Sequence, residues 1–200
     1  MDSELPQQPT AAPPKRRRIV IVGTTGSGKT TLARRSANII DGRHIELDAL
    51  FHDPDWTPAP PEVFRERLRA AIDRQERWVT CGGYRGNTRD ITWPLADQIV
   101  WIDLPFPVTF TRMLRRTFTR RLRNEELWNG NRESIRGMFF SRESLILFAI
   151  QHRNKYREMY PAELSDPAIA HRSVRLTRPR DVAAWLDGLA AEWNVDPVRE

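Results

Sequence analysis

The sequence predicts an α/β domain built on a parallel five-stranded sheet, and three observations carry that expectation. Five apolar runs of strand length lie at residues 19–22, 44–47, 78–80, 99–104 and 173–176. Segments with helical spacing separate them. Such alternation is that of βαβ units, in which helices cover both faces and the strands are nearly all apolar. The first run also enters a loop with three glycines and one lysine, GTTGSGKT at 23–30.

Residues 1–17 are rich in proline, glutamine and alanine and read as a disordered tail, with Lys15, Arg16, Arg17 and Arg18 as a solvated flank. The charge lies at the wrong end of this tail for a secretory signal, and no apolar run approaches the roughly 20 residues needed to span a bilayer. A soluble, cytoplasmic protein without a membrane partner is expected. A single cysteine, Cys81, excludes an internal disulfide and a cysteine-based metal cluster, in keeping with a reducing compartment.

After the first strand, residues 29–40 place Leu32, Ala33, Ala37 and Ile40 on one helical face. Residues 62–76 do the same with Phe64, Leu68, Ala71 and Ile72, behind Pro60 and Pro61 at a favoured helix start. From 107 to 160 the pattern is helical throughout, which predicts an inserted helical lid ahead of the last strand. Its first helix sets Phe110, Leu114, Phe118 and Leu122 in one stripe and Arg112, Arg115, Arg116, Arg120 and Arg123 mainly opposite. Arg121 falls among the apolar residues, so either the helix ends near Thr119 or this arginine turns inward. A second amphipathic stretch, 143–160, with Leu147, Phe148, Ile150 and Met159, is expected to pack the insertion onto the body. The domain then runs from 18 to 190, and 191–200 form a C-terminal tail.

The loop Gly23, Thr24, Thr25, Gly26, Ser27, Gly28, Lys29, Thr30 matches the phosphate-loop pattern of a glycine, four free positions, glycine, lysine and a hydroxyl residue. A phosphate chain wrapped by backbone N–H groups excludes side chains where the loop turns, and glycine supplies the dihedrals. The helix that begins at Lys29 aims free N–H groups and its positive dipole end at the same anion, with Thr31 in that first turn. Lys29 is expected to reach the β and γ phosphates of a nucleotide, and the Thr30 hydroxyl to ligate Mg²⁺.

Together with this loop, HIELDALF at 44–51, WTPAP at 56–60, WVTCGGY at 78–84, WPLAD at 93–97, VWIDLP at 100–105 and ELWNGNRES at 126–134 resemble the small P-loop kinases related to adenylate kinase. Within these the sequence is most similar to the DNA topology modulation proteins, over about residues 18–190. The resemblance implies a P-loop NTPase three-layer fold with strand order 2-3-1-4-5, a substrate-binding helical segment after strand 2 and a mobile, arginine-bearing lid after strand 4. It implies ATP as donor with Mg²⁺, and phosphoryl transfer to a nucleoside, a nucleotide or another small hydroxyl compound. Adenine nucleotide is favoured because no Asn-Lys-x-Asp guanine motif occurs.

Phosphoryl transfer calls for carboxylates and arginines at the carboxyl ends of strands. Asp48 falls where the relatives place an acid that orients or deprotonates the acceptor; its alternative is a helix N-cap ahead of Ala49. Glu46 is the weaker alternative acid. Relatives carry an aspartate before the glycine that ends strand 3, where this chain has Cys81, so Asp103 is expected to supply the missing carboxylate at Mg²⁺, or else metal affinity is reduced. Gly82, Gly83 and Tyr84 are expected beside the cleft, with Arg85 or Arg89 clamping an acceptor anion. In the lid Arg116, Arg120 and Arg121 are the candidates for closure over the γ-phosphate. Arg178 and Pro179 correspond to the loop against the adenine ring, although Pro179 also reads as a helix start.

Of the tryptophans, Trp78, Trp101 and Trp185 are assigned to the core, whereas Trp56 and Trp128 are candidates for the acceptor pocket. His52 and Asp53 lack a third ligand, so no zinc site is predicted. The formal charge of +6 invites a nucleic-acid partner, but only three of the 32 basic residues are lysines, which reads as a coding preference for arginine. Nucleic acid is therefore the less favoured partner. The alternative function is a nucleotide-responsive regulatory or DNA-associated binding module with little turnover. Oligomeric state and acceptor identity are not legible.

Overall fold

A computed structural model describes residues 16–122, 126–131 and 155–195, without the side chains of Arg121 and Lys155. The strands are β1 (Arg17–Gly23), β2 (Arg43–Glu46), β3 (Arg77–Cys81), β4 (Gln98–Ile102) and β5 (Ser173–Leu176), all parallel in the order β2-β3-β1-β4-β5. The order is the expected one. β1 begins at Arg17, inside the stretch expected to be tail, because its main chain already pairs with Arg77.

The helices, numbered through the described residues, are α1 (Lys29–Ile39), α2 (Leu47–Phe51), α3 (Pro61–Ile72), α4 (Arg85–Thr92), α5 (Phe106–Leu122), α6 (Lys155–Leu164), α7 (Pro167–Ala170) and α8 (Pro179–Glu192). Alternation along the strands divides the core into two layers. Ile19, Ile21, Val79, Val100 and Ile102 pack against α1 and α8 through Leu32, Ala33, Leu186 and Leu189. On the opposite face Val20, Val22, Trp78, Ile99 and Trp101 meet Phe64 and Leu68 of α3 and Tyr160 of α6. Helices on both sheet faces make three layers, and the fully buried Trp78 and Trp101 fill the second core as expected. Trp185 is half-buried at the rim of the first.

Three local differences from the sequence reading have physical causes. α3 stops at Ile72, four residues early, because Arg74 takes a left-handed conformation, φ 56°, that turns the chain toward β3. Within the expected all-helical insertion, residues 126–131 form a short strap with a 3₁₀ turn at Trp128–Gly130, since Asn129 and Gly130 adopt positive φ. In α5 the buried line is Thr109, Met113 and Thr117, whereas Phe118 and Leu122 of the expected apolar stripe are exposed. That buried line is the one that meets the loop after β1: a methyl at Gly26 would collide with the Thr109 carbonyl and touch Met113. Leu147, Phe148 and Ile150 lie outside the described residues. Among the described residues no helix is long and apolar enough to cross a membrane.

Candidate active site

β1 delivers Gly23 to the carboxyl edge of the sheet, and α1 leaves that edge at Lys29. Between them Gly26 and Gly28 sit at φ 78° and 96°, a region closed to most side chains. Gly28 is the N-cap of α1 and has no side chain to cap it, so the first-turn N–H groups of Lys29, Thr30 and Thr31 lack an intrahelical acceptor. They face a cavity of about 760 Å³ whose wall includes residues 25–31. Lys29 Nζ donates to the loop's own Thr24 carbonyl at 2.8 Å. Burial is the main influence lowering its pKa, with Arg116 adding and Asp48 and Cys81 opposing. A half-buried lysine held by its own loop, beside uncapped N–H groups, fits an arriving polyphosphate that would relieve both. Ser27 is buried beneath the loop.

The carboxylate next to Thr30 is Glu46, at the end of β2. Thr30 Oγ1 donates to Glu46 Oε1 at 3.0 Å, and Trp128 Nε1 donates to Glu46 Oε2 at 2.9 Å. Asp103, expected at the metal, is placed elsewhere. It is buried at the end of β4, where Arg157 Nε donates to Oδ1 at 2.8 Å and Arg175 Nη2 to Oδ2 at 2.5 Å. Its two oxygens are occupied and it does not line the cavity. Strand order explains the exchange: β4 and β3 flank β1 on opposite sides, and β2 lies beyond β3, so Glu46 pairs in register with Cys81 and extends across it. Cys81 lies 4.0 Å from Thr30 Oγ1 and 3.4 Å from His44 Nε2. Burial, and then the Glu46 charge, push its pKa up to about 12, so it remains a neutral thiol.

Asp48 also lines the cavity, on the first turn of α2. The N-cap of that helix is Glu46, and Asp48 is held instead by Tyr84, whose hydroxyl donates to Oδ1 at 2.7 Å and lies 3.2 Å from His52 Nε2. Burial and then the Asp48 charge push the Tyr84 pKa far up, so the phenol keeps its proton for that bond. Gly82 lines the same cavity, with a methyl there excluded by Leu47, while Gly83 faces Tyr156. Arg85 and Arg89 are not in this cavity. Arg85 Nε donates to Glu163 Oε2 at 2.7 Å, and Arg89 lies 3.7 Å from Glu163 with its guanidinium 4.9 Å over the Trp93 ring. Both line a separate groove beside α4.

Around His52 three rings form a wall: His52 and Trp128 are nearly parallel at 6.5 Å, and Trp56 meets each edge-on, at 5.2 and 6.3 Å. The strap fixes this wall, since Trp56 N donates to Asn131 Oδ1 at 2.7 Å and Asn131 Nδ2 to the Asp53 carbonyl at 3.0 Å. Asp53 is paired with Arg67 at 2.8 Å and does not line the cavity. On the other side Arg112, Arg116 and Arg120 enter the cavity from successive turns of α5. Arg121 is on the same helix, but its side chain lies outside the described residues. Pro179 lines the far end with Val182 and Ala183, whereas Arg178 is exposed and turned back on Asp181 at 2.9 Å.

Sequence reading ranked Glu46 below Asp48 and missed Glu163 and Arg112. Glu46 was legible as the last residue of a strand two positions before Asp48. Glu163 left no local signal.

A parallel sheet of this order, with a glycine-rich loop between its central strand and first helix, is the P-loop NTPase fold. No family model matches the sequence, and no curated protein matches it. Solved structures with a similar path include a shikimate kinase from Bacteroides thetaiotaomicron, 16% identical with a TM-score of 0.48 over 90% of this chain and 99% of that one. A gluconokinase from Sinorhizobium meliloti is 20% identical with a TM-score of 0.46 over 90% and 97%, and a sugar kinase from a Janibacter species 21% with 0.49 over 91% and 96%. At these scores the likenesses add nothing to what the sheet order and the loop establish by themselves.

Proposed function

We propose that the protein is a Mg²⁺-dependent phosphotransferase that moves the γ-phosphoryl group of ATP to a hydroxyl of a small molecule, as the resemblance to adenylate kinase relatives and DNA topology modulation proteins implies. The observation that carries this reading is one continuous cavity holding the Lys29 and Thr30 loop at one end and the Glu46 and Asp48 carboxylates beside it. A loop built only to hold a nucleotide has no use for a second acid fixed by a half-buried phenol.

The parts fit the donor. Uncapped N–H groups and Lys29 suit the β and γ phosphates, and Pro179, Val182 and Ala183 offer an apolar edge to a base. Thr30 and Glu46 suit Mg²⁺, which binds through one or two protein oxygens, phosphate oxygens and water and needs no larger cluster. When bound, the ion neutralises charge on the phosphate oxygens.

The chain's own residues then do the following. Lys29 exchanges the Thr24 carbonyl for phosphate oxygens. Asp48, fixed through Oδ1 by Tyr84, receives the acceptor hydroxyl proton as the acceptor oxygen bonds to phosphorus and the bond to the ADP oxygen breaks. Arg112, Arg116 and Arg120 balance the charge and exclude water. The reading as a binding module with little turnover rests on Cys81 in place of an acid, and Glu46 beside Thr30 weakens it. Labelled ATP offered with nucleosides, nucleotides and sugars tests the proposal. Transfer above a Lys29→Ala control is expected, and its absence across the panel overturns the enzyme reading.

A further inference from the structure

The acceptor end of the cavity carries its own information on what is phosphorylated. Asp48 stands there with the rings of His52, Trp56 and Trp128, and Glu46, at Thr30, is the carboxylate of the metal end. Among the described residues the arginines lining the cavity come from α1 (Arg34, Arg35) and α5 (Arg112, Arg116, Arg120), and Arg112 and Arg116 stand at the phosphate end: a methyl on Gly28 would lie 3.8 Å from Arg112 Nη1, and Arg116 is close enough to lower the Lys29 pKa. Arg85 and Arg89, expected from the sequence to clamp an anionic acceptor, instead meet Glu163 and Trp93 in the separate groove. Glu163 is itself nearly buried, at 10% side-chain exposure, so that pairing ties α4 to α6.

We infer that the acceptor is a non-anionic hydroxyl compound with a flat or apolar ring face, a free sugar or a nucleoside, and not a phosphorylated or carboxylated one. The inference rests on the phosphotransferase reading and deepens it. A phosphate or carboxylate placed against Asp48 meets like charge in a partly desolvated site, which disfavours it. A neutral ring meets no such barrier. Its C–H face covers an indole plane, and its hydroxyls find carboxylate acceptors. Trp56 is the exposed member of the wall, at 36%, and so the ring first offered to a ligand. The strap that pins it joins the acceptor end to the metal end, since Trp128 also holds Glu46.

Equilibrium binding separates this inference from the reading beneath it, because it needs no turnover. Quenching of intrinsic tryptophan fluorescence and calorimetry are followed for the full chain, with and without MgATP. The panel holds glucose, ribose, adenosine and thymidine, each beside its phosphorylated form, and gluconate beside glucose. Saturable binding of at least one neutral member is expected, at least tenfold tighter than its anionic counterpart. Trp56→Ala is expected to weaken it at least tenfold, and Trp56→Phe to restore most of it; the MgATP affinity of both variants, read in parallel, reports that the fold is intact. A sugar that binds where nucleosides do not, or the reverse, decides the source. The inference is overturned if an anionic member binds as tightly as its neutral form, if no neutral member binds, or if Trp56→Ala leaves affinity unchanged. MgATP failing to bind would overturn the phosphotransferase reading instead, and the panel result would still be judged on its own.

Discussion

Exchanging the charge of two carboxylates, one at a time, tests which acid serves the metal end of the cavity. Glu46→Gln keeps one oxygen for the donor-only Trp128 indole and turns an amide toward Thr30, whose hydroxyl can accept, so it removes the charge and one of the two acceptors. Groups that hold a metal ligand typically contribute about 10–100-fold to metal affinity, so the Mg²⁺ concentration giving half-maximal ATP turnover is expected to rise by that factor. Glu46 is half-buried, and its loss of charge is expected to cost less than about 1 kcal/mol of stability. Asp103→Asn is expected to do the reverse. Hydrogen bonds to a charged group contribute about 1.5–3 kcal/mol, but the Arg157 and Arg175 side chains are 45% and 52% exposed, and screening reduces the loss to about 1–2 kcal/mol. At about 2–4 °C per kcal/mol for a chain of this size, Tm falls by roughly 2–8 °C while the Mg²⁺ midpoint stays in place. The assay is a coupled ADP-release measurement over a Mg²⁺ series, with a thermal melt of each variant. An Asp103→Asn midpoint shifted as far as that of Glu46→Gln, or no shift in the latter, refutes the assignment.

Asp48→Asn is expected to lower kcat by about 10²–10⁴, the usual range for a general base, and Tyr84→Phe by about five- to tenfold through loss of the bond that aims it, both read as kcat with acceptor saturating. Gly26→Ala is expected to abolish nucleotide binding in calorimetry, because φ 78° is unfavourable to alanine and its methyl would strike the Thr109 carbonyl; Gly86→Ala, in open space on α4, is the neutral control. Cys81 is expected to resist thiol reagents at pH 8 until the chain is unfolded. Its folded pKa of about 12 lies above the ordinary 9.0, so its contribution to stability is complete below pH 9 and falls by about 1.4 kcal/mol per unit as pH rises toward 12, which denaturant melts of wild type against Cys81→Ser will show.

The sequence by itself determined the class of fold, the five strands, the phosphate loop and the starts of α1, α3 and α8. Each of these is a local matter. The period of apolar residues, a proline at the first helical position and glycines at positive φ act within a few neighbouring residues, so they are written in consecutive letters. Tertiary structure alone decided which charged groups meet. Thr30 finds Glu46 across 16 residues, Trp128 finds Glu46 across 82, and Arg85 finds Glu163 across 78. Arg85 and Asp103 looked like site residues because their types suit phosphate and metal, yet each is neutralised by a partner that only packing brings near. A charge in the interior takes whichever opposite charge the fold delivers first, since leaving it unpaired costs several kcal/mol. Strand order does the delivering: with β2 beyond β3, Glu46 arrives at Thr30, and with β4 beside β5, Arg175 arrives at Asp103.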